Sequence, residues 1–330
     1  MSAVTEVLRQ SLWPFSAVYV AATWARNVMF DRGLRRIHGL PVPVVSIGNL
    51  TVGGTGKTPL VSWLIGLAQE SGRCPGVLAR GYGREAGDEL NDEGMMLAAR
   101  FPGLHQVQDP DRVRGGGRLV EGMGVDFVIL DDGFQHRRLH RDVDIVCLDA
   151  EYPWSRGGYL PAGDLRESTS GLRRADLIVL TRADMISTDR RRRMLAIVRR
   201  VVGDSKPVFF AAHQPRDLVL MPSGEVAPVS ELRDAKVLLL SAIARSSAFE
   251  ATVEKLGAVV EGHIRRRDHH RHTADELAEA AARAGRMGAH LLVTEKDEAK
   301  LVGSSVERMV LRIDLSFMEE SPTSKMLALA

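Results

Sequence analysis

From Pro41 onward, apolar residues fall on consecutive positions in short bursts. One series covers residues 42–47, 76–79, 126–130, 144–148 and 177–180; a second covers 208–211, 237–240, 290–293 and 309–313. Unbroken apolar runs, rather than alternating ones, suit strands of a parallel sheet whose two faces are both covered by helices. Segments with helical spacing stand between them, residues 59–71 and 275–284 among them. This alternation predicts a doubly wound α/β sheet. A helix carrying Arg190, Arg191, Arg192 and Arg193 ends near Gly203 and Pro207, which puts a boundary near 200–207. The arginine run reads as a solvated face. The expected division is a helical segment over 1–40, a main domain over 41–205 and a smaller α/β domain over 206–330.

The first thirty residues differ from the rest. Trp13, Phe15, Tyr19, Trp24 and Phe30 all fall there, although aromatics are 5% of the chain. Leu8, Leu12, Phe15, Tyr19 and Ala22 follow steps of three and four, so a helix would put them on one face. The uncharged run 11–25 is broken by Pro14 and is shorter than the roughly 17–25 residues a bilayer crossing takes. Arg26, Arg32, Arg35 and Arg36 follow it. An amphipathic helix lying on an anionic membrane surface fits this pattern. So does a helix packed on the body of the protein.

The wider composition narrows the function classes. With 330 residues, 45% hydrophobic and 26% charged, the chain has the balance of a folded globular protein. Lys+Arg 44 against Asp+Glu 42 leaves +2, so no basic field points to nucleic acid. Cys74 and Cys147, both in apolar runs, cannot form a disulfide framework and suit a reducing compartment.

The strongest chemical signal follows the first burst. Val45-Ser46-Ile47-Gly48-Asn49 leads through Gly53-Gly54-Thr55-Gly56-Lys57-Thr58 into a helical segment. Glycines let backbone amides curl around an anion, and the helix start adds partial positive charge. Lys57 can reach the β- and γ-phosphates, and the Thr58 hydroxyl can bind Mg²⁺. Thr51 stands where the full P-loop pattern has its first glycine. The burst 126–130 delivers Asp131 and Asp132 at its end, where such folds place a carboxylate on Mg²⁺. A nucleoside triphosphate is therefore expected. Thr181-Arg182-Ala183-Asp184 has arginine where a guanine-reading element needs lysine, which favours ATP over GTP.

Three glycine- or proline-containing polar groups should emerge at the same sheet edge. They are Arg80-Gly81-Tyr82-Gly83-Arg84 with Gly87-Asp88-Glu89, Gly133-Phe134-Gln135-His136, and the segment 160–167. Basic and amide donors there would surround a γ-phosphate and an anionic acceptor. Further on, Asp268-His269-His270-Arg271-His272 suggests a histidine tuned by a carboxylate for proton transfer, or an exposed polar loop. Adjacent histidines chelate a metal poorly. A regulatory P-loop ATPase or GTPase switch acting on a protein partner remains the alternative reading of the loop.

Taken in order, these motifs resemble the tetraacyldisaccharide 4′-kinase family of lipid A synthesis. The likeness covers most of residues 10–170, together with Asp268-His269-His270 and Thr294-Glu295-Lys296-Asp297. It implies a P-loop NTPase-type sheet with a second, smaller α/β domain and an amphipathic N-terminal helix. The implied reaction is ATP-dependent phosphorylation of the 4′-hydroxyl of a tetraacylated glucosamine disaccharide 1-phosphate at the cytoplasmic face of the inner membrane. The implied partners are that lipid and an anionic membrane surface, with no obligate protein partner. By the resemblance, Gly53, Gly54, Thr55, Gly56, Lys57 and Thr58 hold ATP. Thr58, Asp131, Asp132 and Glu167 stand on the Mg²⁺ side, the adjacent aspartates not being separable by role. Asp88 is the implied catalytic carboxylate with His269 as its partner, and Lys57 assists. Asn49, Arg80, Tyr82, Glu89, Arg112, Gln135, His136 and Arg166 would line the substrate. Asp88-Glu89 continues as Leu90-Asn91, where the family usually has a proline-containing turn.

Overall fold

A computed structural model describes residues 11–83, 88–154, 158–301, 303–319 and 321–323. Leu8, Arg84 and Gly87 lie outside these described residues. The chain forms two compact units, one from 1–80, 104–213 and 315–330, the other from 81–103 and 214–314.

The first unit opens with α1 (Trp13–Asp31), β1 (Val44–Gly48), α2 (Lys57–Glu70) and β2 (Pro75–Ala79). After α3 (Asp92–Arg100), which belongs to the second unit, come β3 (His105–Gln108), α4 (Arg112–Met123), β4 (Phe127–Asp131) and β5 (Val143–Asp149). Then follow β6 (Leu177–Thr181), α5 (Thr188–Val202) and β7 (Val208–Met221), which runs on into the second unit. That unit adds β8 (Glu225–Ala227), β9 (Lys236–Ser241), α6 (Ser246–Lys255), β10 (Val259–Arg265) and α7 (Ala274–Arg286). It ends with β11 (His290–Thr294), the short α8 (Glu295–Glu298) and β12 (Arg308–Phe317).

In the first unit the strand order is β7-β6-β5-β1-β4-β2-β3, every neighbouring pair parallel. All five residues of β1 are buried, as its unbroken apolar pattern requires. Val146, Leu148, Ile178 and Leu180 pack in one core cluster, and Val44, Val128 and Leu130 in another. Because β1 sits between β4 and β5, the chain changes sides there, the position at which open α/β sheets bind ligands beyond their strand ends.

The second unit carries the parallel order β10-β9-β11-β12, with β8 antiparallel to β7. Alternate residues of β9 enter different clusters, Val237 and Leu239 in one, Leu238 and Leu240 in the other. Both faces of this sheet are therefore covered. Each such fully buried aliphatic side chain is worth roughly 1.5–3 kcal/mol over leaving it in water. Thr273 opens α7 with a capping box closed by Glu276.

Two features depart from the expected plan. Strands β3 and β10 have no unbroken apolar run because they close the two ends of the strand order, where polar residues are tolerated. The division is also discontinuous. Residues 81–103, expected within a domain over 41–205, cluster with the second unit, and residues from 315 onward return to the first. Within the second unit Arg100 of α3 donates to Ile313 O at 2.9 Å and pairs with Glu295 at 3.3 Å, which ties the inserted helix to its neighbours.

Candidate functional site

The phosphate loop is held from the side of the sheet. Thr55 O accepts hydrogen bonds from Thr181 Oγ1 at 2.6 Å and Cys147 Sγ at 3.1 Å, and Gly54 O accepts from Arg182 at 2.9 Å. These contacts draw the loop carbonyls toward β5 and β6. Gly56 is the N-cap of α2 in left-handed geometry, φ 82°, and no side chain caps the helix start. The first helical amides are thus left for an anion. A Cβ on Gly56 would stand 2.8 Å from His213 Nε2, so the position admits only glycine in this packing. Burial, then Arg182, pushes His213 down to about 3, and it backs the loop as a neutral ring. Thr181 and Arg182, weighed above as part of a base reader, serve as props for the loop.

Next to the loop, Lys57 Nζ lies 3.5 Å from Asp132 Oδ1. Arg166 grips the same carboxylate at 2.8 and 2.6 Å. Burial alone would raise the Asp132 carboxyl, but Lys57 and then Arg166 outweigh it and hold it at about 2. It is therefore an anion at neutral pH. Gly48 lets the segment after β4 pass close to the end of β1, since a Cβ there would meet Phe134 Cβ at 2.5 Å. Asp131 ends β4 beside it.

Glu167 is 2% exposed and has both oxygens engaged by protein donors. Oε1 accepts from Gln135 at 2.9 Å, and Oε2 from Arg174 at 2.7 Å and Asn27 at 3.2 Å. The structure thus gives this expected metal-side carboxylate the part of a hub between α1 and the loops. Gln135 also donates to Asn49 O at 2.8 Å, and Asn49 Oδ1 is buried with no hydrogen-bond partner among the described residues. His136 Nε2 and Arg112 Nε are orphaned in the same way. Burial, then Arg112, pushes His136 down to about 4, so its ring is neutral. The Arg112 guanidinium is lowered first by its own burial and next by Arg80, a like charge close enough to be felt. The orphaned Arg112 Nε–H, a buried donor beside a second guanidinium, suits an anionic ligand.

Helix α1 lies along this site. Ser16 Oγ donates to Tyr159 O at 2.9 Å and accepts from Ala162 N at 3.1 Å; Tyr19 Oη donates to Arg166 O at 3.0 Å. The segment that receives it is closed tightly, for a Cβ on Gly163 would fall 1.8 Å from Gly158 O. Tyr19 therefore joins Ser16 and Phe30 in the packed stripe, while Leu12 and Phe15, near it on the helix, are exposed. The opposite face leaves Trp13, Phe15, Val18 and Trp24 each more than 60% exposed. No helix among the described residues is long and apolar enough to cross a membrane.

In the second unit the expected pairing is replaced by another. His269 Nδ1 lies 3.0 Å from Asp92 Oδ2, whereas Asp88 accepts from Arg271. Asp92 stands in the first turn of α3, capped by Asn91, and its side chain is 4% exposed. Burial would raise its carboxyl, but the His269 hydrogen bond, Lys300 and Lys296 hold it below the usual range. The same hydrogen bond raises His269 against the effect of burial. His269 has φ 66°, a left-handed conformation that a residue with a side chain adopts at a cost. Tyr82 and Glu89, expected near substrate, are both exposed. His270 Nε2 is satisfied by Glu276 at 2.8 Å. Asp92 is the residue that sequence reasoning missed. Its signal was Asn91-Asp92-Glu93-Gly94, a second polar-acid-acid run four residues beyond Gly87-Asp88-Glu89.

Comparison with known proteins gives the family. Residues 8–330 match the family described as tetraacyldisaccharide-1-P 4′-kinase. A tetraacyldisaccharide 4′-kinase of Syntrophus aciditrophicus is 37% identical over 322 residues, covering 90% of this chain and 85% of that protein. One from Bdellovibrio bacteriovorus is 35% identical over 308 residues, covering 89% of this chain and 90% of its own. The crystal structure of LpxK from Aquifex aeolicus in complex with ATP superposes with a TM-score of 0.74 at 30% identity, covering 98% of both chains. From its phosphate loop to its histidine-bearing second unit, the chain belongs to the tetraacyldisaccharide 4′-kinase family.

Proposed function

We propose that this chain transfers the terminal phosphoryl group of ATP to the 4′-hydroxyl of a tetraacylated glucosamine disaccharide 1-phosphate, giving the 1,4′-bisphosphate of a lipid A precursor. The observation that carries this reading is Asp132 held as an anion between Lys57 and Arg166 at the start of a P-loop helix. The loop amides and Lys57 bind and orient the triphosphate. Thr58 with Asp131 or Asp132 offers the hard oxygen donors that Mg²⁺ requires, and the ion would neutralise charge on the β- and γ-phosphates. An alcohol is a poor nucleophile, so transfer needs a base. Asp92 and His269 supply one: Asp92 accepts the hydrogen bond of Nδ1–H, and the Nε2 lone pair takes the proton of the sugar hydroxyl. Asp88, occupied by Arg271, is assigned no proton transfer. Arg112 and Arg80 fit the anionic end of the substrate.

The exposed aromatic face of α1 supports a peripheral position on an anionic membrane, at the cytoplasmic face of the inner membrane where ATP is available. Acyl chains then stay in lipid, each buried methylene being worth about 0.8 kcal/mol. A regulatory nucleotide switch is not favoured, because the family match extends through the second unit that carries Asp92 and His269. The decisive experiment follows γ-labelled ATP with the monophosphorylated lipid A disaccharide against a panel of nucleosides and simple sugars. Label on the lipid alone is expected; label on none of them overturns the reading.

A further inference from the structure

We propose that Lys300 is the positioning residue for His269, fixing Asp92 so that the histidine keeps its proton on Nδ1 and presents Nε2 to the substrate. The inference rests on the acid–base reading of Asp92 and His269 and extends it to a residue that touches neither substrate nor nucleotide.

The Lys300 side chain is wholly buried, two residues after the end of α8. Its ammonium donates to His270 O at 3.1 Å and forms ion pairs with Asp297 Oδ1 at 3.2 Å and Asp92 Oδ2 at 3.6 Å. The Asp92 oxygen it reaches is the same one that meets His269 Nδ1. One cation thus binds the backbone next to His269 and the carboxylate that orients its ring. Asp297 is anchored independently, by Thr294 Oγ1 at 2.7 Å and Ala242 N at 3.1 Å, so Lys300 refers the pair to a fixed point on β9 and α8.

Charge balance gives the arrangement its meaning. Asp92 and Asp297 are buried anions and Lys300 is the buried cation between them. That leaves one negative charge over, which the imidazolium formed during proton transfer would neutralise. Around this core, Lys296 pairs with Glu93 at 3.0 Å and with Asp268 at 3.4 Å, and Arg271 pairs with Asp88. His272 Nε2 lies 3.8 Å from Asp297 Oδ1. Burying an ion set of this kind costs desolvation, so it is weak evidence for added stability.

The test is Lys300→Met in the full chain, compared with His269→Ala and Asp92→Asn. Losing the ammonium leaves Asp92 uncompensated, so the acid limb of the kcat profile should move to higher pH, with kcat at its plateau down at least tenfold and the KM for ATP unchanged. Asp92→Asn should move the same limb to lower pH. The ¹⁵N shifts of the His269 ring, assigned by loss of its signals in His269→Ala, should show a single Nδ1-protonated tautomer in the wild type and a mixture in Lys300→Met. If Lys300→Met does not fold, Lys300→Met with Asp297→Asn removes one buried charge of each sign and is read for plateau kcat and tautomer. An unshifted limb and single tautomer in a folded Lys300 variant, with His269→Ala still impaired, overturn the role of Lys300 alone. Full activity of His269→Ala and Asp92→Asn would instead sink the acid–base reading beneath it.

Discussion

Lys57 and Asp132 face each other at 3.5 Å, and Arg166 clamps the same carboxylate from 2.6 Å. The lysine that should meet the triphosphate is thus already held by a neighbour of opposite charge, which orders its long side chain in advance. Lys57→Ala should lower the single-turnover transfer rate by about 10²-fold or more, the scale for removing one preorganised charge-stabilising group. Arg166→Ala should loosen Asp132 and cost less. Rapid-quench measurement of labelled lipid product reads both.

Gly56 offers a steric test. An alanine there would sit in left-handed geometry, costing roughly 1–2 kcal/mol, and its Cβ would press on His213. Gly56→Ala should lower the melting temperature and weaken ATP binding together. Gly66 on the same helix has open space around it, so Gly66→Ala should leave ATP affinity alone. Calorimetric titration with ATP separates the two.

Asp92 and Asp88 should part company in mutants. Asp92→Asn removes the carboxylate that raises His269 and should cut kcat by about 10²–10⁴-fold, the range for impairing a general base. Asp88→Asn should leave most of it. Stability moves with the same pair. The contribution of a raised histidine is fully present below its unfolded value of about 6.5 and fades as pH rises through the folded value. Melting temperatures across that interval should fall more steeply in the wild type than in Asp92→Asn.

The two faces of α1 predict opposite phenotypes. Replacing Trp13 and Trp24 by alanine should weaken binding to vesicles containing anionic lipid while leaving the melting temperature unchanged, because both rings are exposed. Ser16→Ala should destabilise the protein by about 1–3 kcal/mol, since Ala162 N and Tyr159 O lose their buried partner. Vesicle flotation and thermal melts distinguish the outcomes. Undiminished flotation of the double tryptophan variant would make this face something other than a lipid contact.

How much the chain disclosed on inspection depended on how local each signal was. Strands β1, β4, β5 and β6 were legible because burial on both faces demands uninterrupted aliphatic residues. The P-loop was legible because strand, glycines, lysine and helix are contiguous. The partner of His269 was not, since Asp92 lies 177 positions away and competes with a similar acidic run around Asp88. Nor could spacing show that Asp132 is the one of the adjacent pair that meets Lys57 and Arg166. Spacing alone does not show which part of α1 packs; the Tyr19 hydroxyl reaching Arg166 O does.

That same hydroxyl has a mechanical consequence. Tyr19 holds Arg166, Arg166 holds Asp132, and Asp132 holds Lys57, so three successive handshakes join α1 to the Lys57 ammonium. Asn27 and Glu167 add a parallel strut lower on the helix. Whatever surface α1 rests on, the load passes through a stiff bracket and not a loose tail.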